Sequence, residues 1–393
     1  MSVDPAAGQA DSPDTPSRPG WWLFQGTGDP IEPAERDRRW PAPPPWRIFQ
    51  GGPVLPPPSA DGPEALRRLG TTPSRLLDTA QISVVNAAIY LRRPLLVTGR
   101  PGVGKSSLAY LIARELQLGR VLRWPVTSRT TLRAGLYDYD AIGRAQAMSP
   151  FRFVPSLRWH GRPRGDDHAS AGSGRGGAAL PPIGDFIQLG PLGTALLPHE
   201  LPRVLLIDEM DKGDFDLPND LLNIFEDGEF AIPELARIRH QAPEAEVHTA
   251  DPGGTAVVRE GIVRCHAFPL IVITSNGERE FSAAFLRRCA RLDIPDPDTR
   301  QLATLIAAHF PADAPGHREL VARFEQRRQQ VGGLAADQLL NAAHLVAVGA
   351  ADGDEAVWND LLEAVWHQLA PAPSADMRFP GRQFPDMQFP DMR

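Results

Sequence analysis

Eight residues constrain this chain more than any others: Gly99-Arg100-Pro101-Gly102-Val103-Gly104-Lys105-Ser106. They follow a short apolar run, Pro94 to Thr98, and precede a stretch in which Leu108, Leu111, Ile112 and Leu116 recur at helical spacing. A glycine-rich loop between a buried strand and a helix N-terminus turns successive backbone N–H groups inward, where the helix dipole adds favourable potential for an anion. The pattern therefore calls for a parallel α/β sheet and a bound polyphosphate. Lys105 reaches the β- and γ-phosphates as a point charge, and the Ser106 hydroxyl is a Mg²⁺ ligand. Gly99, Pro101, Gly102, Val103, Gly104, Lys105, Ser106 and Ser107 are the candidate nucleotide-binding residues.

Lys105 and Lys212 are the only lysines among 41 basic residues, and Lys212 stands just beyond Ile207-Asp208-Glu209. Val204 to Ile207 is an unbroken apolar run, as a strand covered on both faces requires. Asp208 and Glu209 follow at its carboxyl end, where open α/β sheets place their ligands. Asp208 is read as the Mg²⁺ ligand, and Glu209 as the base that orients and deprotonates the attacking water. An acidic pair after one strand is weak evidence alone; after a phosphate loop it specifies nucleotide chemistry. Pro269 to Thr274 reads as another buried strand, with Ser275-Asn276 at its tip.

Composition excludes several classes. A net charge of −7 gives no global basic field, so nucleic acid is not an expected partner. The excess of arginine over lysine reflects GC-rich coding rather than function. Two cysteines, Cys265 and Cys289, form no disulfide framework and suit a reducing cytosol, so a cytoplasmic location is expected. The N-terminus has neither the basic nor the apolar region of a signal peptide. No apolar run is long enough to span a membrane, and no membrane partner is expected.

The chain divides into four parts. Residues 1–70 are a Pro/Trp-rich extension, disordered to about residue 20 and then an extended arm packed on a folded surface. Its prolines leave no periodicity, yet Trp21, Trp22, Trp40 and Trp46 are costly to leave in water. Residues 71–296 form the α/β nucleotide-binding domain, interrupted by a flexible Gly/Arg/Ser-rich insertion at about 160–182. Within it Asp251-Pro252-Gly253-Gly254 signals a hairpin, and Asp216, Leu217 and Pro218 open a helix. Residues 297–370 read as an α-helical lid, and residues 371–393 as a disordered tail repeating Phe-Pro at 379, 384 and 389. Lys105 and Asp208 stand farther apart than one strand and one helix require.

In this order, Gly99–Ser106, Val204–Glu209, Thr274-Ser275-Asn276 and Ala284-Phe285-Leu286-Arg287-Arg288-Cys289 resemble the motifs of an AAA+ ATPase. The stretches NAAIYLRRPLLVTGRPGVGKS and LGPLGTALL before VLLIDEMDK are similar to the MoxR-type branch, over roughly residues 73–296. The resemblance implies an AAA+ doubly wound parallel sheet with a C-terminal α-helical lid. Asn276 falls at the sensor-1 position and Arg288, with Arg287 beside it, at the arginine-finger position. A finger reaching a neighbouring subunit's nucleotide implies a homo-oligomeric ring, a hexamer. Residues 151–195 and 246–258 correspond to the helix-2 insertion and the hairpin of that branch, and Tyr137 and Tyr139 are candidates to grip a polypeptide. The chain departs from the family where Asp337 takes the place of the sensor-2 arginine; Arg318 and Arg323 are candidate substitutes.

The function expected from the resemblance is that of a motor using ATP with Mg²⁺ to remodel a protein client. Such ATPases are associated with von Willebrand factor A-domain partners, and some resemble ATPases of bacterial conflict systems. Two alternatives stay open: a slow-turnover assembly switch or scaffold, and a GTP-driven motor similar to McrB.

Overall fold

The computed structural model describes residues 19–56, 58–59, 62–70, 77–148, 181–310, 316–331, 334–351 and 354–366. The expected disordered start, the insertion through residue 180 and the Phe-Pro tail lie outside these residues.

Helices α1 (Pro33–Arg39) and α2 (Gly62–Leu69) precede α3 (Thr79–Leu91), strand β1 (Leu95–Thr98) and α4 (Ser107–Glu115). Then come β2 (Leu122–Pro125), α5 (Leu132–Leu136), β3 (Tyr137–Tyr139), α6 (Ala141–Met148), β4 (Ile187–Leu189), α7 (Pro191–Ala195) and β5 (Val204–Asp208). The chain continues through α8 (Leu217–Asp227), β6 (Glu229–Ala231), α9 (Pro233–Ala236), β7 (Glu244–His248), β8 (Thr255–Arg259), β9 (Ile262–Arg264) and β10 (Leu270–Ser275). After α10 (Ala283–Leu286) and β11 (Ala290–Asp293), it ends in α11 (Thr299–His309), α12 (His317–Val331), α13 (Ala336–Ala347) and α14 (Glu355–Val365).

Two sheets result. The first runs β11-β1-β10-β5-β2 with every pairing parallel. Its central strands β5 and β10 are buried along their whole length, which explains why their sequences do not alternate. One face packs on α3 and α4 through Val85, Ile89, Leu108 and Ile112. Residues of the other face, among them Leu205, Ile207 and Ile273, share a core with the second sheet. That sheet runs β3-β4-β7-β8-β9-β6, antiparallel except where β4 meets β7. Part of the excess length between Lys105 and Asp208 is therefore used in β3, α6, β4 and α7. The DPGG stretch closes the β7–β8 hairpin, as the sequence predicts.

Local signals set the ends of the helices that frame the site. Asp78 and Gln81 form a reciprocal capping box on α3, and Asp298 and Gln301 do the same for α11. The helices α11 to α14 share their own apolar core, including Leu302, Phe324, Leu339 and Trp366.

The arm packs on the folded surface from residue 22 onward. Trp22, Leu23 and Phe24 are buried, contributing ~1.5–3 kcal/mol each. Asn86 of α3 holds them: its Oδ1 accepts the N–H groups of Leu23 and Phe24 at 2.9 and 3.0 Å, and its Nδ2 donates to the Phe24 carbonyl at 2.7 Å. Glu115, at the end of α4, accepts the N–H groups of Gln25, Gly26 and Gly28. Burial holds the Glu115 carboxyl above its ordinary range despite those donors. The four tryptophans do not share one fate: Trp40 lies under the Arg92 guanidinium, Trp21 is half exposed and Trp46 faces solvent.

Candidate active site

The loop between β1 and α4 adopts backbone conformations that favour glycine. Gly99, Gly102 and Gly104 have φ values of 148°, 77° and 82°. A Cβ on Gly102 would lie 2.4 Å from the Cβ of Ala335 and 2.9 Å from Oδ1 of Asp337, so the start of α13 closes against the loop.

Five side chains from the loop, from β5 and from the end of β10 converge here. The buried Lys105 Nζ donates to the carbonyls of Gly99 and Arg100, both at 2.8 Å, and to Oδ1 of Asn276 at 2.7 Å. The Ser106 hydroxyl donates to Oδ1 of Asp208 at 2.6 Å. Thr274, in β10 beside β5, donates its hydroxyl to the same Asp208 oxygen at 2.9 Å and accepts the Glu209 N–H at 2.9 Å. Burial works to raise the Asp208 carboxyl, but the bonds from Ser106, Arg123 and Thr274 outweigh it and hold the group below its usual value.

Glu209 has a left-handed backbone, φ 62° and ψ 50°, a conformation that costs a non-glycine residue energy and is found at functional turns. Its carboxylate is half exposed and pairs with Lys212 at 2.9 Å. That bond raises the Lys212 ammonium above its ordinary value. Asp211 is buried and accepts the N–H groups of Asn276 at 2.8 Å and Glu278 at 3.2 Å, which ties the turn after β5 to the tip of β10.

These residues line a cleft of about 550 Å³ between the first sheet and the terminal helices, with Pro101 to Ser107, Asp208, Glu209 and Asn276 on one side. Helices α11 and α13 supply Gln301, Leu305, His309, Asp337 and Leu340. Three arginines also line it: Arg67 and Arg68 of α2 and Arg123 of β2. Arg123 donates to Oδ2 of Asp208 at 2.9 Å, and both α2 arginines bond to Glu64, which drops to a pKa of about 2 chiefly through Arg67.

The Ser106 hydroxyl and the Asp208 carboxylate, adjacent and at the mouth of a loop of positive-φ glycines, form an oxygen donor pair that fits a hard divalent cation beside a polyphosphate. Arg287 and Arg288 are not among the residues lining this cleft. Arg288 Nε stands 3.8 Å from Glu226 Oε2, and Arg287 is exposed with its carbonyl accepting from Arg93 at 3.2 Å.

Sequence reasoning missed Arg67, Arg68, Arg123 and Asp211. Asp211 was within reach, because a second aspartate follows the acidic pair; the arginines carry no local signal. Asp337 does stand at the loop, where its sequence position suggested. Neither proposed substitute lines the cleft, and Arg323 is engaged with Glu319 and Glu355. Tyr137 corrects the gripping assignment. It is buried, stacks on Phe230 and donates to Glu234 at 2.9 Å. Burial, then Glu234, pushes its phenol up to about 12. Tyr139 accepts from Arg144 at 3.0 Å.

A sequence profile described as AAA domain (dynein-related subfamily) matches residues 94–289. No curated protein sequence matches the chain. Among solved structures, that of C. elegans PCH-2 is 13% identical, covering 78% of this chain and 73% of that chain at a TM-score of 0.36. A structure presenting the structural basis for katanin self-assembly is 14% identical, covering 78% of this chain and 76% of that one at 0.30. At TM-scores this low neither likeness bears on substrate or partner. The matched stretch is an AAA+ nucleotide-binding domain of the P-loop NTPase class, followed by a helical lid.

Proposed function

We propose that this AAA+ chain is a MoxR-type ATP hydrolase that works as a homo-oligomeric ring, a hexamer, and remodels a protein client. A von Willebrand factor A-domain protein is the partner class that the MoxR-type resemblance favours. The observation that carries the reading is the convergence of Lys105, Ser106, Asp208 and Asn276, bonded in pairs (Ser106 to Asp208 at 2.6 Å, Lys105 to Asn276 at 2.7 Å) at the carboxyl ends of adjacent parallel strands.

The residues divide the chemistry as follows. Backbone N–H groups of the loop and Lys105 hold the β- and γ-phosphates. Ser106 and Asp208 would hold Mg²⁺, which when bound neutralises charge on the phosphate oxygens. Glu209 exchanges its Lys212 partner for a water, takes a proton from it, and directs the oxygen at the γ-phosphorus as the bond to the β-phosphate oxygen breaks. Asn276, bridged to Lys105 and steadied through Asp211, orients that water and the γ-phosphate. Arg288 acts on the neighbouring subunit's nucleotide.

A second reading, a slow-turnover assembly switch, draws on Asp337. A carboxylate beside Gly102 repels a polyphosphate where an arginine would attract it, which weakens the coupling of hydrolysis to lid movement. The test is ATP turnover against protein concentration, with particle size followed by light scattering with and without ATP and Mg²⁺. Specific activity that rises as ATP-dependent particles form is the expected result. Tight ATP binding with negligible turnover at every concentration overturns the motor and leaves the switch.

A further inference from the structure

Arg123 enters the cleft from β2, a strand that carries none of the motif residues. Burial alternates along β2: Leu122 and Trp124 lie in the core, so Arg123 between them points to the opposite face of the sheet. The register sets Arg123 beside Leu206 and Pro125 beside Asp208. A long side chain is therefore needed to reach the carboxylate. The guanidinium meets it with two donors, Nε at 3.3 Å and Nη2 at 2.9 Å, both to Oδ2. Oδ1 accepts the neutral hydroxyls of Ser106 and Thr274, so the ion pair this carboxylate makes is with Arg123.

The two partners differ in burial. The Asp208 side chain is 9% exposed and that of Arg123 is 44% exposed. A nearly buried carboxylate is costly without a cation, whereas water readily solvates a half-exposed guanidinium. Asp208 therefore depends on the pair more than Arg123 does, and the pair opens from the arginine's side. Arg123 also borders a second cavity, of about 1120 Å³, beside α2 and α4, which leaves the guanidinium open space away from the carboxylate.

We propose that Arg123 is a built-in counter-cation for Asp208: it competes with Mg²⁺ for this carboxylate and makes the cleft receptive to nucleotide that carries no metal. The proposal rests on the nucleotide reading of the cleft and adds to it the residue that sets its metal dependence. Two consequences of opposite sign follow from the charges. One carboxylate cannot pair fully with two cations beside it, because the cations repel each other, so the guanidinium lowers affinity for Mg²⁺. A nucleotide without metal brings uncompensated phosphate charge. Asp208 alone would repel that charge, whereas Asp208 paired with Arg123 does not, so the same guanidinium raises affinity for the free nucleotide.

The experiment uses the full chain and reads binding rather than turnover: ATP affinity by calorimetric titration in excess EDTA and over a series of free Mg²⁺ concentrations. Arg123→Gln should weaken ATP binding in EDTA about 5-fold or more, and should lower the Mg²⁺ midpoint by a similar factor. Arg123→Lys, which keeps the charge but not the fork of donors, should restore part of both. If Arg123→Gln lowers the melting temperature, Arg123→Lys carries the test, with shifts of the same two signs and smaller size. A merely structural role moves both affinities in one direction, and that result overturns the proposal, as does an unchanged Mg²⁺ midpoint. An unaltered protein that binds ATP neither with nor without Mg²⁺ overturns the nucleotide reading itself.

Discussion

The nucleotide cleft and the face bearing Arg288 are both built from charged side chains, and they treat charge in opposite ways. In the cleft, Lys105 bonds Asn276 at 2.7 Å and Ser106 bonds Asp208 at 2.6 Å within one subunit. On the other face, Arg47 and Arg288 share the Glu226 carboxylate at 3.8 Å each, and an exposed tryptophan stands beside them. Short, partly buried bonds hold a geometry ready for a ligand; pairs of 3.8 Å to the exposed Glu226 carboxylate contribute little. The first region is tied together by its own short bonds, whereas the second is held by longer ones.

Changes that separate the two regions should therefore differ in what they abolish. Lys105→Ala should have the largest effect, eliminating nucleotide binding in calorimetric titration; an unchanged ATP affinity would refute the loop assignment. Arg288→Ala should lower turnover by ~10³–10⁵ while leaving ATP affinity of dilute protein intact. Loss of affinity instead would place Arg288 in its own subunit's site. Glu209→Gln should lower turnover ~10²–10⁴-fold and retain ATP, and mixing it with Arg288→Ala subunits should restore part of the activity. No recovery at any ratio would break the division into one self-contained region and one shared region.

The smallest effect concerns the arm side. His199 is buried against the arm, with Nδ1 3.3 Å from the Pro56 carbonyl. Burial, then the Arg203 charge, pushes its pKa down to about 4. The folded protein keeps this imidazole neutral while the unfolded chain protonates near pH 6.5, so stability falls as pH drops from about 6.5 to 4 and levels off below. The loss amounts to at most about 3 kcal/mol. Denaturant titrations at several pH values should show that slope, and His199→Gln should flatten it.

Much of this molecule is legible in its residues, and the legible parts share a cause. Gly99 to Ser106, the apolar runs at 204–207 and 269–274 and the DPGG turn each act over a few neighbouring residues. Backbone freedom, strand burial and turn geometry are local requirements, and they leave local signatures. The cleft's basic wall was not legible. Arg123 reaches Asp208 because β2 lies beside β5, and Arg67 and Arg68 reach the cleft because α2 packs along α4. Tyr137 misled for the same reason, since an aromatic at a strand end looks alike whether it is buried or free.

What the sequence determined by itself is the phosphate loop, the acidic pair, the parallel sheet that must carry them and the helical lid that follows. Only the tertiary structure decided which arginine faces which carboxylate. It buried Trp22 while leaving Trp46 in water, and it set the arm beside Arg288. Those outcomes depend on contacts between residues far apart in the chain, and no spacing along the sequence encodes the distance between two elements that meet only on folding.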